Sequence, residues 1–401
     1  MNAFSPTTPE EVLSVVQWAA DNRAPLEIVG QGSKRAVGRP AQAEHTVSLA
    51  QLTGITLYEP AELVLTARAG TSIAEIEKLL AEQNQRLDFE PSDYGPLFGA
   101  PRGAGTIGGV LATNLSGPRR LKAGAARDHI LGINAVSGRG EMFKAGGRVV
   151  KNVTGYDVSK AMANSWGTLA VCTDVAFKVV PASDTETTLV IRSLLDEQAS
   201  AAMALALGSS AEVSSAAHLP EGLSVSVANG VLGSEAATLL RLEGFPPSID
   251  YRLNLLRHIL KSAGDLHVLE GEPSKALWRD IRDCIPFADG TLKPVWRVSM
   301  QPSQAHAMTL DLRRSCPASA FYDWQGGLVW LRMEHGDPEA DQLRGLVRAH
   351  GGGHATLVRA EAAIRAAIPV FEPQPPALRA LSDRLKESFD PLGILNPGRM
   401  N

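Results

Sequence analysis

The sequence predicts an α+β protein with two domains. Three observations carry this. Short β-branched strands in the first 180 residues end on glycine turns. A block over 182–370 mixes strand and helix patterns. The chain of 401 residues exceeds what one hydrophobic core usually serves. A boundary is expected at Pro181, where a β-branched run over 168–180 stops.

The elements follow in order. Thr8-Pro9-Glu10-Glu11 opens a helix: the hydroxyl caps, proline suits the first turn, and the acids sit at the positive end. Val12, Val15, Val16 and Ala19 then recur at helical spacing. An apolar strand over 26–29 runs into Gly30-Gln31-Gly32-Ser33, and further strands are expected at 46–49, 55–58 and 63–69. Ile73, Ile76, Leu79 and Leu80 place a helix over 73–83. Residues 91–126 break the rhythm with Gly, Pro and Ala. A long irregular stretch of small apolar residues reads as packed and functional. A strand over 130–137, a turn at Gly138-Arg139-Gly140 and a return to Val150 make a glycine-bounded hairpin. In the second block, strands are expected at 188–191, 223–227, 296–300 and 327–332. Helices are expected at 200–208, 250–262, 274–283 and 339–350. A proline-rich linker over 371–376 leads to a final helix over 376–389. Trp18, Trp296 and Trp330 read as core.

Bulk properties remove several function classes. Hydrophobic residues at 44% and charged residues at 20% describe an ordinary globular chain, not a disordered one. A net charge of -4 gives no electrostatic footprint for nucleic acid. Cys172, Cys284 and Cys316 are few and far apart, so neither a disulfide framework nor a CxxC metal site is expected. They read as buried free thiols of a reducing cytoplasm. Glu10 and Glu11 fall where a signal peptide would be apolar, and no apolar run reaches the ~20 residues of a membrane span. The expected place is the cytoplasm, with the inner membrane reached only peripherally, through partners.

The loop Gly30-Gln31-Gly32-Ser33-Lys34 follows a strand. Glycines let backbone N–H groups converge on phosphate oxygens; Ser33 adds a hydroxyl and Lys34 or Arg35 a charge. It is not a P-loop, and Gly38-Arg39-Pro40 breaks the helix that a dinucleotide fingerprint would open. The second stretch runs from Pro101 to Gly117. Its small residues leave room for a planar ligand against the main chain, and a helix start over 108–112 suits a pyrophosphate.

Together these features resemble a known family. The strand-to-GxGS loop and the block Thr106-Ile107-Gly108-Gly109-Val110-Leu111-Ala112-Thr113-Asn114-Leu115-Ser116-Gly117 resemble the FAD-binding domain of the vanillyl-alcohol oxidase superfamily, also called PCMH-type. Arg127-Asp128-His129-Ile130-Leu131-Gly132-Ile133, Gly155-Tyr156-Asp157-Val158 and Trp166-Gly167-Thr168-Leu169-Ala170-Val171 resemble its later segments, in the family's order. So does the terminus, Phe389-Asp390-Pro391 with Ile394-Leu395-Asn396-Pro397-Gly398. The resemblance implies a two-subdomain FAD-binding domain over 1–181, an α/β cap with an antiparallel sheet over 182–370, and a return segment over 371–401 packed on the first domain. It implies that Gly30, Gln31, Gly32 and Ser33, with Lys34, hold the pyrophosphate. Thr106, Ile107, Gly108, Gly109, Ala112 and Thr113 would line the ADP and ribityl portions, with Pro101 and Gly117 bounding the stretch. Gly167, Thr168 and Val171 would approach the adenine or isoalloxazine, with Asn396 from the terminus. Asn164-Ser165-Trp166-Gly167 departs from the family's GSEG and lacks its Glu. Some members attach FAD covalently through a His in the first loop or a Cys after the second. This chain has Gln31 and Ser33 there and no Cys near Gly117, so non-covalent FAD is expected.

Lys151-Asn152-Val153-Thr154-Gly155-Tyr156-Asp157, Val295-Trp296-Arg297-Val298-Ser299, Tyr322-Asp323-Trp324 and Gly352-Gly353-His354-Ala355-Thr356 resemble the E-subunit family of bacterial glycolate oxidases. This implies an FAD-dependent 2-hydroxy-acid oxidoreductase, working with a larger FAD subunit of D type and an iron–sulfur subunit of F type, its electrons leaving toward quinone. The chemistry needs a cation for the carboxylate and a base for the hydroxyl proton. Arg297 is the candidate cation, because guanidinium grips carboxylate with two parallel bonds. His354 is the candidate base. His267, His306 and His350 read as surface or packing residues. No HxH pair is present, so no metal is expected. Two further readings stay open: a flavin-binding but catalytically weak partner of the D subunit, and a stand-alone flavin oxidase.

Overall fold

The computed structural model describes residues 2–147 and 156–400. The Lys151 to Gly155 part of the resemblance therefore lies outside the described residues. Thr8 caps the helix Pro9–Asn22 by accepting from the Glu11 N–H. The Val12, Val16 and Ala19 face of that helix shares a core with Leu26, Val47, Ile394 and Leu395. Leu26–Val29 pairs in parallel with His45–Ser48, which pairs in parallel with Asn2–Phe4. A second sheet is antiparallel, in the order Ile55–Glu59, Val64–Arg68, Ala170–Lys178, Ile130–Ser137, Met142–Gly146. Helices Ile73–Ala81 and Ile107–Thr113 bury Ile76, Leu80, Ile107, Val110 and Leu111 against its Leu65, Val175 and Phe177.

Residues 185–359 supply an antiparallel sheet of eight strands. Its order is Leu266–Glu270, Thr185–Arg192, Ala237–Gly244, Ser215–Leu219, Ala318–Asp323, Leu328–Met333, Val295–Met300, Gly353–Arg359. Helices Asp196–Leu207, Pro246–Ile259, Ala305–Arg313 and Ala340–Ala349 cover one face. The other face meets the N-terminal half, where Phe321, Trp330 and Val358 join a core with Tyr94, Leu97 and Leu115. Buried ion pairs run along this seam. Glu90 takes two bonds of 2.8 Å from Arg241, and Glu243 takes 2.8 Å and 2.6 Å contacts from Arg119 and Arg86.

The chain end folds back onto its beginning. The Leu26 N–H donates to Ile394 at 2.7 Å and the Asn396 N–H to Leu26 at 2.9 Å, extending the first sheet. The helix Pro376–Phe389 that precedes this return buries none of its residues. Among the described residues no helix is long and apolar enough to cross a membrane.

Some expectations need correction. The strand expected over 223–227 is a single 3-10 turn, Ser224–Ser226, held by the Ser224 hydroxyl on the Gly233 and Glu235 carbonyls. The five strands Ser215–Leu219, Ala237–Gly244, Leu266–Glu270, Ala318–Asp323 and Gly353–Arg359 gave no clear alternation; tertiary pairing overrides weak local preference there. Trp296 and Trp330 are core, but Trp18 is 37% exposed and rests on the rings of Phe4 and His45.

Candidate functional site

A cleft opens between the first glycine loop, the helix Ile107–Thr113 and the segment leading into Ala170–Lys178. Its walls include Gly30, Gln31, Gly32, Ser33 and Lys34 from the first loop and Thr106, Gly108, Gly109, Ala112 and Thr113 from the second. Gly167 and Val171 close it. The two glycine stretches, far apart in sequence, thus form one site.

The local geometry explains the glycines. A Cβ at Gly30 would lie 2.4 Å from Thr106 Oγ1, and one at Gly108 would lie 2.9 Å from the Ala69 carbonyl. Gly32 adopts φ +79°, a conformation that favours glycine. The backbone N–H groups of Gln31, Gly32, Ser33 and Lys34 meet no protein acceptor among the described residues. Successive free N–H groups around a left-handed residue make an anion nest. Lys34 is half-buried with no carboxylate in ion-pair reach among the described residues. Burial pushes its ammonium pKa down, against the pull of Asp93 and Asp283. An anionic group on this loop would relieve that cost. The apolar walls, Ile28, Val29, Leu49, Ala69 and Met162, suit flat rings. The donor set and walls together fit FAD.

The helix start expected to hold a pyrophosphate is differently arranged. Its first N–H groups are already engaged: Ile107 with the Thr71 carbonyl at 3.0 Å, Gly108 with Ala69 at 2.9 Å, and Gly109 with Thr106 Oγ1 at 3.2 Å. The free donors belong to the 31–34 loop instead.

Five other expected cofactor contacts do not line the cleft. Pro101 is exposed, and Ile107 is fully buried in the core beneath the helix. Gly117 abuts Glu90 and Arg282. The Thr168 hydroxyl donates back to Ser165 at 2.7 Å. Asn396 works from behind: its Oδ1 accepts from the Ile28 N–H at 2.7 Å and its Nδ2 donates to the Trp166 carbonyl at 2.8 Å. Gly167, at φ +70°, lies against that same amide. Asn396 therefore holds two walls in place.

Several wall residues had no clear signal in the sequence. Ser165, Trp166 and Ala170 lie within the Trp166-Gly167 motif, so its neighbours were a usable hint. Arg399 had none. It reaches back to the Arg35 and Val37 carbonyls at 2.9 and 3.0 Å and clamps the end of the first loop. Cys172 also faces the cleft; burial pushes its thiol up to about 12, which keeps it protonated and a poor nucleophile.

The candidate catalytic residues sit elsewhere, on the cap-sheet face turned toward the N-terminal half. Strand register places Asp323, Leu328, Ser299 and His354 in one cross-strand row, and Phe321, Trp330, Arg297 and Thr356 in the next. Arg297 and His354 are thus diagonal neighbours on one face. Arg297 is half-buried, its guanidinium carbon 4.9 Å from the Trp324 ring centre, and burial pushes its pKa down. The Trp324 indole N–H donates to the Gly117 carbonyl at 3.0 Å, which ties this face to the second glycine stretch. His354 lies on the outermost strand, exposed to solvent, not in the enclosed spot expected of a base. A carboxyl in its row was missed. Asp323 is 2% exposed, accepts the Trp324 N–H at 2.7 Å, and is pushed up to about 7 by burial.

Comparison with known proteins agrees with this cleft. A family model described as an FAD binding domain matches residues 2–146. The chain is 34% identical over 395 residues to the glycolate oxidase subunit GlcE of Escherichia coli K12, covering 98% of this chain and 97% of that one. It is 26% identical over 188 residues to the glycolate oxidase subunit GlcD of Bacillus subtilis, covering 47% of this chain and 38% of that one. Among solved structures, p-cresol methylhydroxylase with substrate bound aligns at a TM-score of 0.74 and 15% identity, over 99% of this chain and 88% of that one. That last likeness concerns the fold.

Proposed function

The chain belongs to the PCMH-type family of FAD-linked oxidoreductases that includes the glycolate oxidase subunit GlcE, and on that premise we propose that it is the FAD-binding subunit of a glycolate oxidase complex. In this reading it oxidises glycolate or a similar 2-hydroxy acid to the 2-oxo acid. Electrons pass through an iron–sulfur partner to quinone, beside a larger flavoprotein subunit. The observation that carries the reading is the cleft. It joins an anion nest over 31–34 to apolar walls, within a chain similar to GlcE over nearly its whole length.

FAD bound there supplies the two-electron acceptor that alcohol oxidation requires. The protein's part is position and proton transfer. Gln31, Gly32, Ser33 and Lys34 hold the phosphates, Asn396 fixes the wall at Gly167, and the hold is non-covalent, as the protonated Cys172 thiol supports. Arg297 grips the substrate carboxylate with paired N–H bonds. The proton acceptor is Asp323 rather than His354. Its carboxyl lies on the same face as Arg297, near the Glu90 and Arg241 charges, and burial brings it to the range a base needs near neutrality.

Co-expression with a larger FAD subunit and an iron–sulfur subunit tests this. The expected result is co-purification and glycolate-dependent quinone reduction that is lost when this chain is left out. Full activity from the other two subunits alone would overturn the proposal.

A further inference from the structure

Arg120 and Arg297 differ from their neighbours. Arg119 engages Glu90 and Glu243, Arg241 engages Glu90, Arg282 engages Asp283, and Arg359 donates to the Phe287 carbonyl. Among the described arginines that are buried or half-buried, Arg120 and Arg297 alone place the guanidinium against neither carboxylate nor carbonyl. A cation left so is costly unless an anion meets it.

Both lie against one ring. The guanidinium carbons of Arg297 and Arg120 stand 4.9 and 5.8 Å from the Trp324 ring centre. A cation over an indole recovers part of the hydration it loses, but two cations on one ring repel each other. After burial, the charge of Arg120 further lowers the Arg297 pKa, while Tyr94 and Asp323 pull it the other way. Asp323, which shares the sheet face with Arg297, spends an oxygen on the Trp324 N–H and stays outside ion-pair distance of both.

The two arginines come from different halves of the chain. Arg297 projects from the cap strand Val295–Met300. Arg120 starts the turn Arg120–Ala123 just after Gly117. The Gly117 carbonyl accepts both the Trp324 indole N–H at 3.0 Å and the Arg120 N–H at 3.1 Å, so one oxygen sets the ring and the second arginine together. The arrangement is built, and among the described residues no carboxylate lies within ion-pair distance of either guanidinium.

We propose that Arg120 and Arg297 form a two-cation site, walled by Trp324, that binds the carboxylate end of the substrate and favours small carboxylate dianions over monoanions. This rests on the 2-hydroxy-acid reading above, and it adds Arg120 as a second carboxylate contact.

The test uses the FAD-loaded chain and oxalate, a dianion with no hydroxyl to oxidise. Isothermal titration should find oxalate bound more tightly than acetate. Arg120→Gln and Arg297→Gln should each weaken oxalate about tenfold or more, the loss of a charge-assisted contact, with FAD content unchanged and Arg120→Lys recovering part. Acetate affinity should fall much less in Arg120→Gln, which closes the gap between the two ligands. No oxalate binding by the loaded wild type, or binding unmoved by Arg120→Gln, would overturn the site while leaving hydroxy-acid oxidation to stand on its own test. Arginine-dependent oxalate binding in a protein whose flavin no hydroxy acid reduces would support the site and count against the oxidase reading.

Discussion

Gly30 stands so close to Thr106 that a Cβ at position 30 would lie 2.4 Å from the threonine hydroxyl oxygen. This contact joins the two glycine-rich stretches into one cleft. Gly30→Ala should push the loop off the helix start and weaken FAD about tenfold, read as the flavin-to-protein absorbance ratio after dialysis. Thr106 Oγ1 also caps the helix, so Thr106→Ala alone should weaken FAD modestly. The double variant should recover part of the loss of Gly30→Ala, because the clashing atom is gone.

Asn396 bridges the Ile28 N–H and the Trp166 carbonyl from behind the cleft. Asn396→Ala leaves one buried and one part-buried backbone group unpaired and should cost about 2–3 kcal/mol in urea unfolding. Added FAD should stabilise this variant less than the wild type and so widen the gap, since the wall that Asn396 shapes has moved.

How much of this was legible in the sequence differs by residue. Gly30, Gly108 and Gly167 could be read, because each needs room or a left-handed backbone that only glycine offers cheaply. The helix Pro376–Phe389 was legible from the proline-rich linker that leads into it. Arg399 and Asp323 were not. The first acts through contacts with residues some 360 positions away, and the second owes its altered acidity to burial that only the assembled sheet creates. That the helix start of the second loop offers a pyrophosphate no free first N–H was not legible for a similar reason: the neighbouring segment at Ala69 and Thr71 takes those groups, and local sequence carries no trace of that pairing.

Glu90 links the two halves through Arg241 and Arg119. Burial alone would raise its pKa, but the two guanidiniums overcome this and hold it at about 2. A carboxylate held low adds stability that is full above its unfolded value, near 4.5, and is lost as pH falls toward 2. The wild type should lose about 3 kcal/mol across that window from this group. Glu90→Gln should be destabilised by a similar amount at pH 7 and show a flatter acid slope, measured by urea unfolding at several pH values.

Asp323 has the opposite sign. Its pKa, raised to about 7, means that ionisation is disfavoured in the folded chain. Its share of stability is present below about pH 4 and falls away as pH rises to 7. Asp323→Asn should therefore leave stability near pH 8 equal or higher. The same variant should slow flavin reduction by hydroxy acid at least about a hundredfold. In the wild type, that rate should climb with pH through about 7.

The most direct measurement is anaerobic. The purified, FAD-loaded chain is mixed with glycolate or D-lactate, without partner subunits, and its visible absorbance is followed. The flavin bands should bleach, with Arg297→Ala slowing the bleaching. A chain that holds FAD firmly and keeps its full oxidised spectrum with both acids would contradict it, and would make this subunit a flavin-bearing partner rather than the oxidising one.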